Sequence, residues 1–155
     1  MTFIDRASIV WSSPDDCHDL AAVLRTADRL ECRASGHSPL AALMAGYFLG
    51  NCRTIKSGST VLGMFGVSPH PEAPEFGVVW LLAAPELLKF RTQFLRESKA
   101  WVEGLGRGYA VIGNACDERN TVAIRWLKWL GFTFHDRTPV GDTHFLSFFK
   151  VTSNV

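Results

Sequence analysis

The sequence lacks several features that would point to a particular class of protein. Its 155 residues include four cysteines, none of which forms a Cys-x-x-Cys pair or stands near histidines at metal-ligand spacing. The formal net charge of +1 provides no broad basic surface for duplex nucleic acid or an anionic membrane. Asp5 and Arg6 stand where a secretory signal needs an apolar run, and no later run is long and apolar enough to span a bilayer. We therefore expect a soluble, intracellular protein with buried free thiols and no metal site.

The composition is that of a chain that folds around its own core. Hydrophobic residues make up 47% of the sequence and charged residues 20%, with five tryptophans and eleven phenylalanines. A chain of this length buries most of its apolar surface without help from disulfides or metals. No repeat, low-complexity tract or linker divides it, so we predict that residues 1–155 form a single domain.

The hydrophobic pattern predicts an α/β fold. Residues 7–13 are typical of a strand, after which Ser13 and Pro14 begin a helix whose apolar stripe continues to Leu30. A second helix begins at Ser38, which is again followed by proline. The remaining predicted elements are a hairpin that turns at 57–58, a strand over 75–84, a helix over 85–103, a strand over 109–113, a short helix after Asn120 and a phenylalanine-rich final hairpin. The predicted order is β-α-α-β-β-β-α-β-α-β-β, with a mixed, largely antiparallel sheet flanked by helices.

The turn between strand 75–84 and the next helix contains no glycine. Glycine usually lets the backbone approach a phosphate at such a helix start. Lys89 and Arg91 stand there instead. They are either part of the solvated face of helix 85–103 or cations that make charge-assisted bonds to a phosphate. The sequence leaves both interpretations open.

A short segment near the C-terminus carries a family resemblance. Asn120, Ala123, Leu127, Gly131 and Phe132 match an Asn-x-x-Ala to Gly-Phe segment, and together with the order of elements they resemble the GNAT (GCN5-related N-acetyltransferase) superfamily. The runs "VWLLAA", "KFR" and "NTVAIRWL" are similar to those of GNAT-like proteins of T7-type podoviruses. The resemblance implies a GNAT-type fold and a phage protein.

The resemblance also implies acetyl-CoA as the cofactor. In the superfamily, a glycine signature after the fourth strand holds the pyrophosphate, and here Lys89, Arg91 and Gln93 fall near the glycine positions. The family uses backbone groups at the end of the fourth strand to bond pantetheine, and these correspond to the run Leu82, Ala83 and Ala84. Asn120 completes the cofactor-binding residues that the resemblance implies.

The catalytic residues implied by the resemblance are incomplete. Glu75, at the start of the fourth strand, is the candidate general base, and a carboxylate at a strand edge is the structural alternative. The family's usual proton donor is a tyrosine, whose place is taken by Leu127. Cys116 has no histidine nearby in sequence to activate it. Trp126 and Trp129 form either a partner-binding face or part of the core.

Two functions follow from this resemblance. The first is a phage-encoded, acetyl-CoA-dependent N-acyltransferase that modifies a host protein or a small amine. The second is a catalytically degenerate GNAT scaffold that serves as a virion component or binds and inhibits a host enzyme. Either would act in the host cell cytoplasm or in the virion, and pairing of strand edges would give a homodimer.

Overall fold

The computed structural model describes residues 6–152, which build a seven-stranded sheet with helices on both faces. The strands are β1 (Ser8–Trp11), β2 (Cys52–Ser57), β3 (Thr60–Pro69), β4 (Phe76–Ala83), β5 (Val111–Asp117), β6 (Thr133–Val140) and β7 (Thr143–Val151). The α-helices are α1 (Pro14–Ala21), α2 (Thr26–Ala34), α3 (Pro39–Phe48), α4 (Arg91–Gly106) and α5 (Thr121–Trp129). A 3-10 helix over Pro85–Phe90 leads directly into α4.

The sheet has the spatial order β1-β2-β3-β4-β5-β7-β6. Neighbouring strands run antiparallel except for β4 and β5, which pair in parallel. This confirms the mixed, largely antiparallel sheet flanked by helices that the sequence predicts. The parallel pairing is short. It joins Phe76 to Val78 of β4 with Val111 to Gly113 of β5, and the rest of the two strands is unpaired with each other.

Local sequence signals explain where several elements begin. Ser13 caps α1 through a bond from the Asp16 N–H to its hydroxyl, and the Asp16 carboxylate accepts from the Ser13 N–H in return. Ser38 caps α3 by accepting from the Ala41 N–H at 3.1 Å. Gly58 has a φ of 60°, which the tight turn between β2 and β3 requires.

The two faces of the sheet pack against different helices. One cluster joins Leu20 of α1, Cys32 of α2 and Leu43 of α3 to Met64 and Leu82 of the sheet. The opposite face carries α4 and α5. Its buried residues are Ile55, Leu62, Phe65, Val67, Ala83, Leu87 and Leu105 in one cluster and Ile112, Cys116, Leu127, Leu130, Phe132 and Phe148 in the next. All four cysteines are buried and free, as predicted.

The predicted first helix is two helices in the structure. The prediction was wrong because the apolar stripe was followed through residues 22–25, where the chain instead bends and the Arg25 N–H bonds the Ala83 carbonyl at 2.8 Å. Leu20 and Leu24 of the stripe are buried, whereas Val23 and Leu30 are 46% and 38% exposed. A contact with a distant strand therefore overrides the local helical pattern.

The predicted helix 85–103 and strand 109–113 also differ from the structure. The helix begins as a 3-10 helix, becomes α-helical at Arg91 and extends to Gly106. Leu95 of this helix is 37% exposed. β5 is shifted toward the C-terminus and ends at Asp117. No helix among residues 6–152 is long and apolar enough to cross a membrane.

Candidate functional site

The pairing of β4 with β5 stops before the C-terminal ends of the two strands. Just beyond the paired residues, Asn114 Nδ2 of β5 donates a hydrogen bond to the Val79 carbonyl of β4, at 2.8 Å. Beyond this point the two strands do not pair, while β4 continues to Ala83 and β5 to Asp117. We call the space between residues 80–83 and residues 115–117 the strand gap.

Helix α2 bridges the strand gap with two carboxylates. Asp28 Oδ2 accepts from the Ala83 N–H of β4 at 3.0 Å, and Glu31 Oε1 accepts from the Asp117 N–H of β5 at 2.6 Å. Because the two residues are three apart, their side chains leave the same face of the helix. The Arg25 N–H bonds the Ala83 carbonyl, so both backbone polar groups of Ala83 are bonded to this part of the chain.

Asn120 joins the same network from the start of α5. Its side chain is buried, with 2% of the residue exposed. Its Oδ1 accepts from Arg25 Nη2 at 3.0 Å and from the Ala123 N–H at 3.4 Å, and its Nδ2 donates to Asp28 Oδ1 at 3.1 Å. Asn120 therefore caps α5 and ties it to α2. A direct role in holding a cofactor stays a prediction.

The two carboxylates have unusual protonation equilibria. Burial raises the pKa of Asp28, opposed by the charge of Arg25 and by bonds from the Ala83 N–H and Asn120. Burial also raises the pKa of Glu31 to about 7, where the Asp117 N–H lowers it and the charges of Asp28 and Asp117 raise it further. The strand gap therefore contains a carboxylate that changes its charge near neutral pH.

The turn after β4 does not form a backbone cradle for phosphate. Pro85–Phe90 is a 3-10 helix, in which backbone N–H groups bond carbonyls three residues back, and Pro85 has no N–H to offer. The Leu87 N–H bonds the Ala84 carbonyl at 3.1 Å, and the Arg91 N–H bonds the Leu88 carbonyl. An anion at this helix start would therefore have to be bound by side chains.

Lys89 and Arg91 lie at this helix start. Both side chains are exposed at the junction of the 3-10 helix and α4. Within residues 6–152 neither forms an ion pair or a side-chain hydrogen bond. Gln93, the third residue near the glycine positions, instead points back to the sheet, where it donates to the Ala7 carbonyl and accepts from the Ala7 N–H. Two unpaired cations thus stand immediately beyond the end of β4.

The remaining predicted cofactor residues do not all face the strand gap. Leu82 is buried among the α1–α3 cluster. The Ala84 N–H bonds the Leu62 carbonyl of β3 at 2.8 Å and so points away from the gap. Ala83 does face the gap, but its two backbone groups are bonded to Asp28 and Arg25. Of the three, Ala83 is the residue that the structure brings to the gap.

Glu75 lies at the opposite end of β4 from the strand gap. It is exposed, and its carbonyl accepts from the Ala110 N–H at 2.8 Å, where β4 and β5 still run side by side. At about 3.3 Å per residue, the eight residues from Glu75 to Ala83 span about 26 Å. The structure therefore does not bring Glu75 together with the other predicted site residues.

The other reactive or aromatic candidates are accounted for by packing. Burial raises the pKa of the Cys116 thiol to about 12, which keeps it protonated. Leu127 is buried in the α5 cluster. Trp126 stacks on Phe94 with ring centroids 4.8 Å apart, and Trp129 is 45% exposed with Lys99 Nζ 4.3 Å from its ring centroid. Trp126 thus belongs to the core and Trp129 to the surface.

Sequence reasoning missed Arg25, Asp28 and Glu31. All three lie within the single helix that the apolar stripe predicts, and their order at intervals of three places them on one helix face. A charged stripe of this kind usually faces solvent. These residues could have been assigned to a buried site only if the sequence had also indicated that the helix breaks before them. It carries no such indication.

Comparison with known proteins places this arrangement in a recognised fold. No protein-family model and no curated protein matches the sequence. Among solved structures, a diaminobutyrate acetyltransferase from Paenibacillus lautus, in complex with its substrate and coenzyme A, matches with a TM-score of 0.69 at 17% identity over 97% of this chain and 98% of that one. A GCN5-related N-acetyltransferase from Kribbella flavida gives 0.67 at 17% identity, covering 94% and 97% of the two chains. A GNAT-family acetyltransferase from Bacillus anthracis gives 0.63 at 12% identity, covering 93% and 92%.

These likenesses establish the fold. The chain has the architecture of the GNAT acetyltransferases over nearly its whole length, and the predicted fold is thereby confirmed. At identities of 17% and below, they do not define the activity of this chain.

Proposed function

We propose that this protein binds coenzyme A or its acyl thioester beside the strand gap and transfers the acyl group to an amine. The observation that carries the proposal is the pair of exposed, unpaired cations, Lys89 and Arg91, that follows β4 of a GNAT fold. Arginine offers phosphate a fork of donors, and lysine offers a mobile point charge. The Paenibacillus lautus structure, which contains coenzyme A, shows that proteins of this fold bind the ligand.

The residues present fit a ligand whose phosphates are bound by side chains rather than by the backbone. Lys89 and Arg91 would hold the phosphates, because the N–H groups of the 3-10 helix are used within it. Ala83 can pair with an amide of the ligand only where Asp28 and Arg25 release it. Acetyl-CoA, when bound, would supply an acyl group activated as a thioester.

We further propose that the protein is phage-encoded and acts on a host protein or a small amine in the cytoplasm of the infected cell, or from the virion. The support is the similarity of "VWLLAA", "KFR" and "NTVAIRWL" to the GNAT-like proteins of T7-type podoviruses. Pairing of strand edges into a homodimer belongs to the same proposal, and β1 and β6 are the two outer strands of the sheet.

Removing both cations tests the proposed site. In the double variant Lys89→Ala, Arg91→Ala, we expect the dissociation constant for coenzyme A to rise by about tenfold to a hundredfold, because two charge-assisted contacts to phosphate are lost from an exposed site. Both side chains are exposed and unpaired, so the melting temperature should hardly change. Isothermal titration calorimetry measures the affinity.

A matched control removes the same charge from the same helix. Arg96 lies further along α4 and Arg107 caps its C-terminal end, and both are exposed. The double variant Arg96→Ala, Arg107→Ala should bind coenzyme A nearly as well as the wild type. Equal affinities in all three proteins would show that Lys89 and Arg91 belong to a solvated helix face.

A second candidate function is a GNAT-fold scaffold without transferase activity. Two observations favour it: the Ala83 backbone is bonded to α2, and Leu127 stands where the family has its tyrosine. A general acid typically contributes about a hundredfold to ten-thousandfold, so its loss slows acyl transfer without preventing it. A protein that binds no coenzyme A at millimolar concentration would support the scaffold as a virion component or an inhibitor of a host enzyme.

A further inference from the structure

The geometry points to Glu31 as the general base that removes the proton from the acceptor amine. This inference rests on the proposed acyltransferase function and names a catalytic group for it. Glu31 replaces Glu75 as the candidate because it lies in the strand gap, whereas Glu75 lies at the far end of β4.

The position of Glu31 suits a proton transfer at the strand gap. Glu31 Oε1 is held at 2.6 Å by the Asp117 N–H at the end of β5, while Ala83 at the end of β4 is held by Asp28 from the same helix. Within residues 6–152, Oε2 of Glu31 forms no hydrogen bond or ion pair. The residue is half-buried, and Oε2 is not enclosed, because the buried side-chain polar atoms without a partner among residues 6–152 are Nε1 of Trp80 and Nε1 of Trp126.

Neighbouring carboxylates are already engaged on both oxygens. Asp28 accepts from the Ala83 N–H and from Asn120. Asp117 accepts from Arg119 through both oxygens and also from Thr143. Glu118 accepts from Arg137 through both of its oxygens. Bonds of this kind oppose the rise in pKa that burial causes, and they leave neither oxygen of the carboxylate free to take up a proton. Glu31 is the carboxylate of this group with an unbonded oxygen.

Its surroundings also make Glu31 a stronger base than an ordinary carboxylate. Burial raises its pKa to about 7, Asp28 of α2 and Asp117 of β5 add to the rise, and Arg25 and the Asp117 N–H oppose it. A general base is most effective when its pKa lies near the working pH. An exposed glutamate, with its ordinary pKa of about 4.5, would be a much weaker acceptor of a proton from an alkyl ammonium group.

The transfer of the acyl group to the amine needs only the amine, Glu31, the thioester and solvent. The proton of the acceptor ammonium passes to Glu31 Oε2 as the nitrogen lone pair forms the new C–N bond. The C–S bond of the thioester breaks, and the thiolate leaves with the bonding electrons. The nitrogen loses a second proton to solvent as it becomes an amide, and the thiolate takes up a proton from solvent to give the free thiol. Glu31 then returns its proton to solvent. No acid is required, because a thiolate is a tolerable leaving group.

Glu31→Gln is the variant that tests this role. Glutamine keeps the size of the side chain and an oxygen that accepts from the Asp117 N–H, but it cannot take up the proton. The probes are acetyl-CoA with spermidine, whose amines are protonated at neutral pH, and acetyl-CoA with hydroxylamine, which is largely neutral and needs little base catalysis. Release of free coenzyme A thiol measures both reactions.

We expect Glu31→Gln to slow transfer to spermidine by about a hundredfold to ten-thousandfold. Transfer to hydroxylamine should fall far less, and the affinity for coenzyme A should stay as in the wild type. Glu103→Gln, an exposed glutamate on α4, should match the wild type in all three measurements. The wild-type rate with spermidine should also rise with pH through about 7, and that inflection should be missing in Glu31→Gln.

The outcomes separate this inference from the proposed function. Wild-type transfer that Glu31→Gln leaves unchanged, or that Glu75→Gln abolishes instead, would overturn the role of Glu31 while the function stands. A wild type that binds acetyl-CoA but transfers to neither amine would overturn both. An equal loss with both amines would identify Glu31 as a structural residue rather than a base.

Discussion

Replacing Asp28 with alanine should lower the free energy of unfolding by about 3 kcal/mol, because several buried polar groups lose their hydrogen-bond or ion-pair partner at once. The substitution leaves the Ala83 N–H and Asn120 Nδ2 without their acceptor and leaves Arg25 without its carboxylate, 3.9 Å away. For a chain of this size the melting temperature should fall by roughly 10 °C. Chemical denaturation monitored by tryptophan fluorescence gives the free energy of unfolding.

Asp19→Ala provides the matched control. Asp19 is exposed on α1, so its removal should change the free energy of unfolding by less than about 0.5 kcal/mol. If Asp28→Ala were as stable as Asp19→Ala, the network that joins α2, β4 and α5 would have no energetic importance. In that case α2 would not hold the strand gap in the arrangement described above.

The second large effect concerns the pH dependence of stability. The pKa of Glu31 is about 7 in the folded protein, above its ordinary value of 4.5. Folding therefore favours the protonated form. The stabilisation that Glu31 retains below pH 4.5 is lost as the pH rises through 7. Glutamine does not titrate, so the stability of Glu31→Gln relative to the wild type should increase by about 2 to 3 kcal/mol across that window.

This difference isolates Glu31 from the other titrating groups. Burial would raise the pKa of Asp16 and Asp117, but their hydrogen bonds and neighbouring positive charges together lower it, so both proteins lose stability in acid through these residues. That loss is common to both proteins and largely cancels in the comparison. Unfolding curves measured at pH 4, 6 and 8 for both proteins would decide the matter. Parallel stabilities would mean that Glu31 has an ordinary pKa and is a poor base at neutral pH.

Predictions made from local patterns agree best with the structure. The serines followed by proline start α1 and α3 because their hydroxyls accept backbone N–H groups within the same helix. The β2–β3 hairpin forms around Gly58, and Asn120 caps α5 where the motif places it. In each case the interaction that determines the structure lies within a few residues of the signal.

Features that depend on distant contacts were not predicted. The break between α1 and α2 is fixed by a bond from Arg25 to Ala83, and Asp28 meets Asn120 from 92 positions away in the sequence. The raised pKa of Glu31 arises from burial against β5, which no local pattern encodes. The sequence therefore indicated the fold and the cationic turn, while the carboxylate side of the site required the three-dimensional arrangement.

Titration of the wild-type protein with acetyl-CoA, and in parallel with coenzyme A and dephospho-coenzyme A, tests the central claim most directly. If Lys89 and Arg91 bind phosphate groups beside the strand gap, acetyl-CoA should bind with a dissociation constant on the order of micromolar to tens of micromolar. Binding should weaken when the 3′-phosphate is missing and when the salt concentration is raised. Absence of any binding heat or thermal shift with millimolar acetyl-CoA would contradict the account, because two unpaired cations after β4 would then have no ligand of this kind.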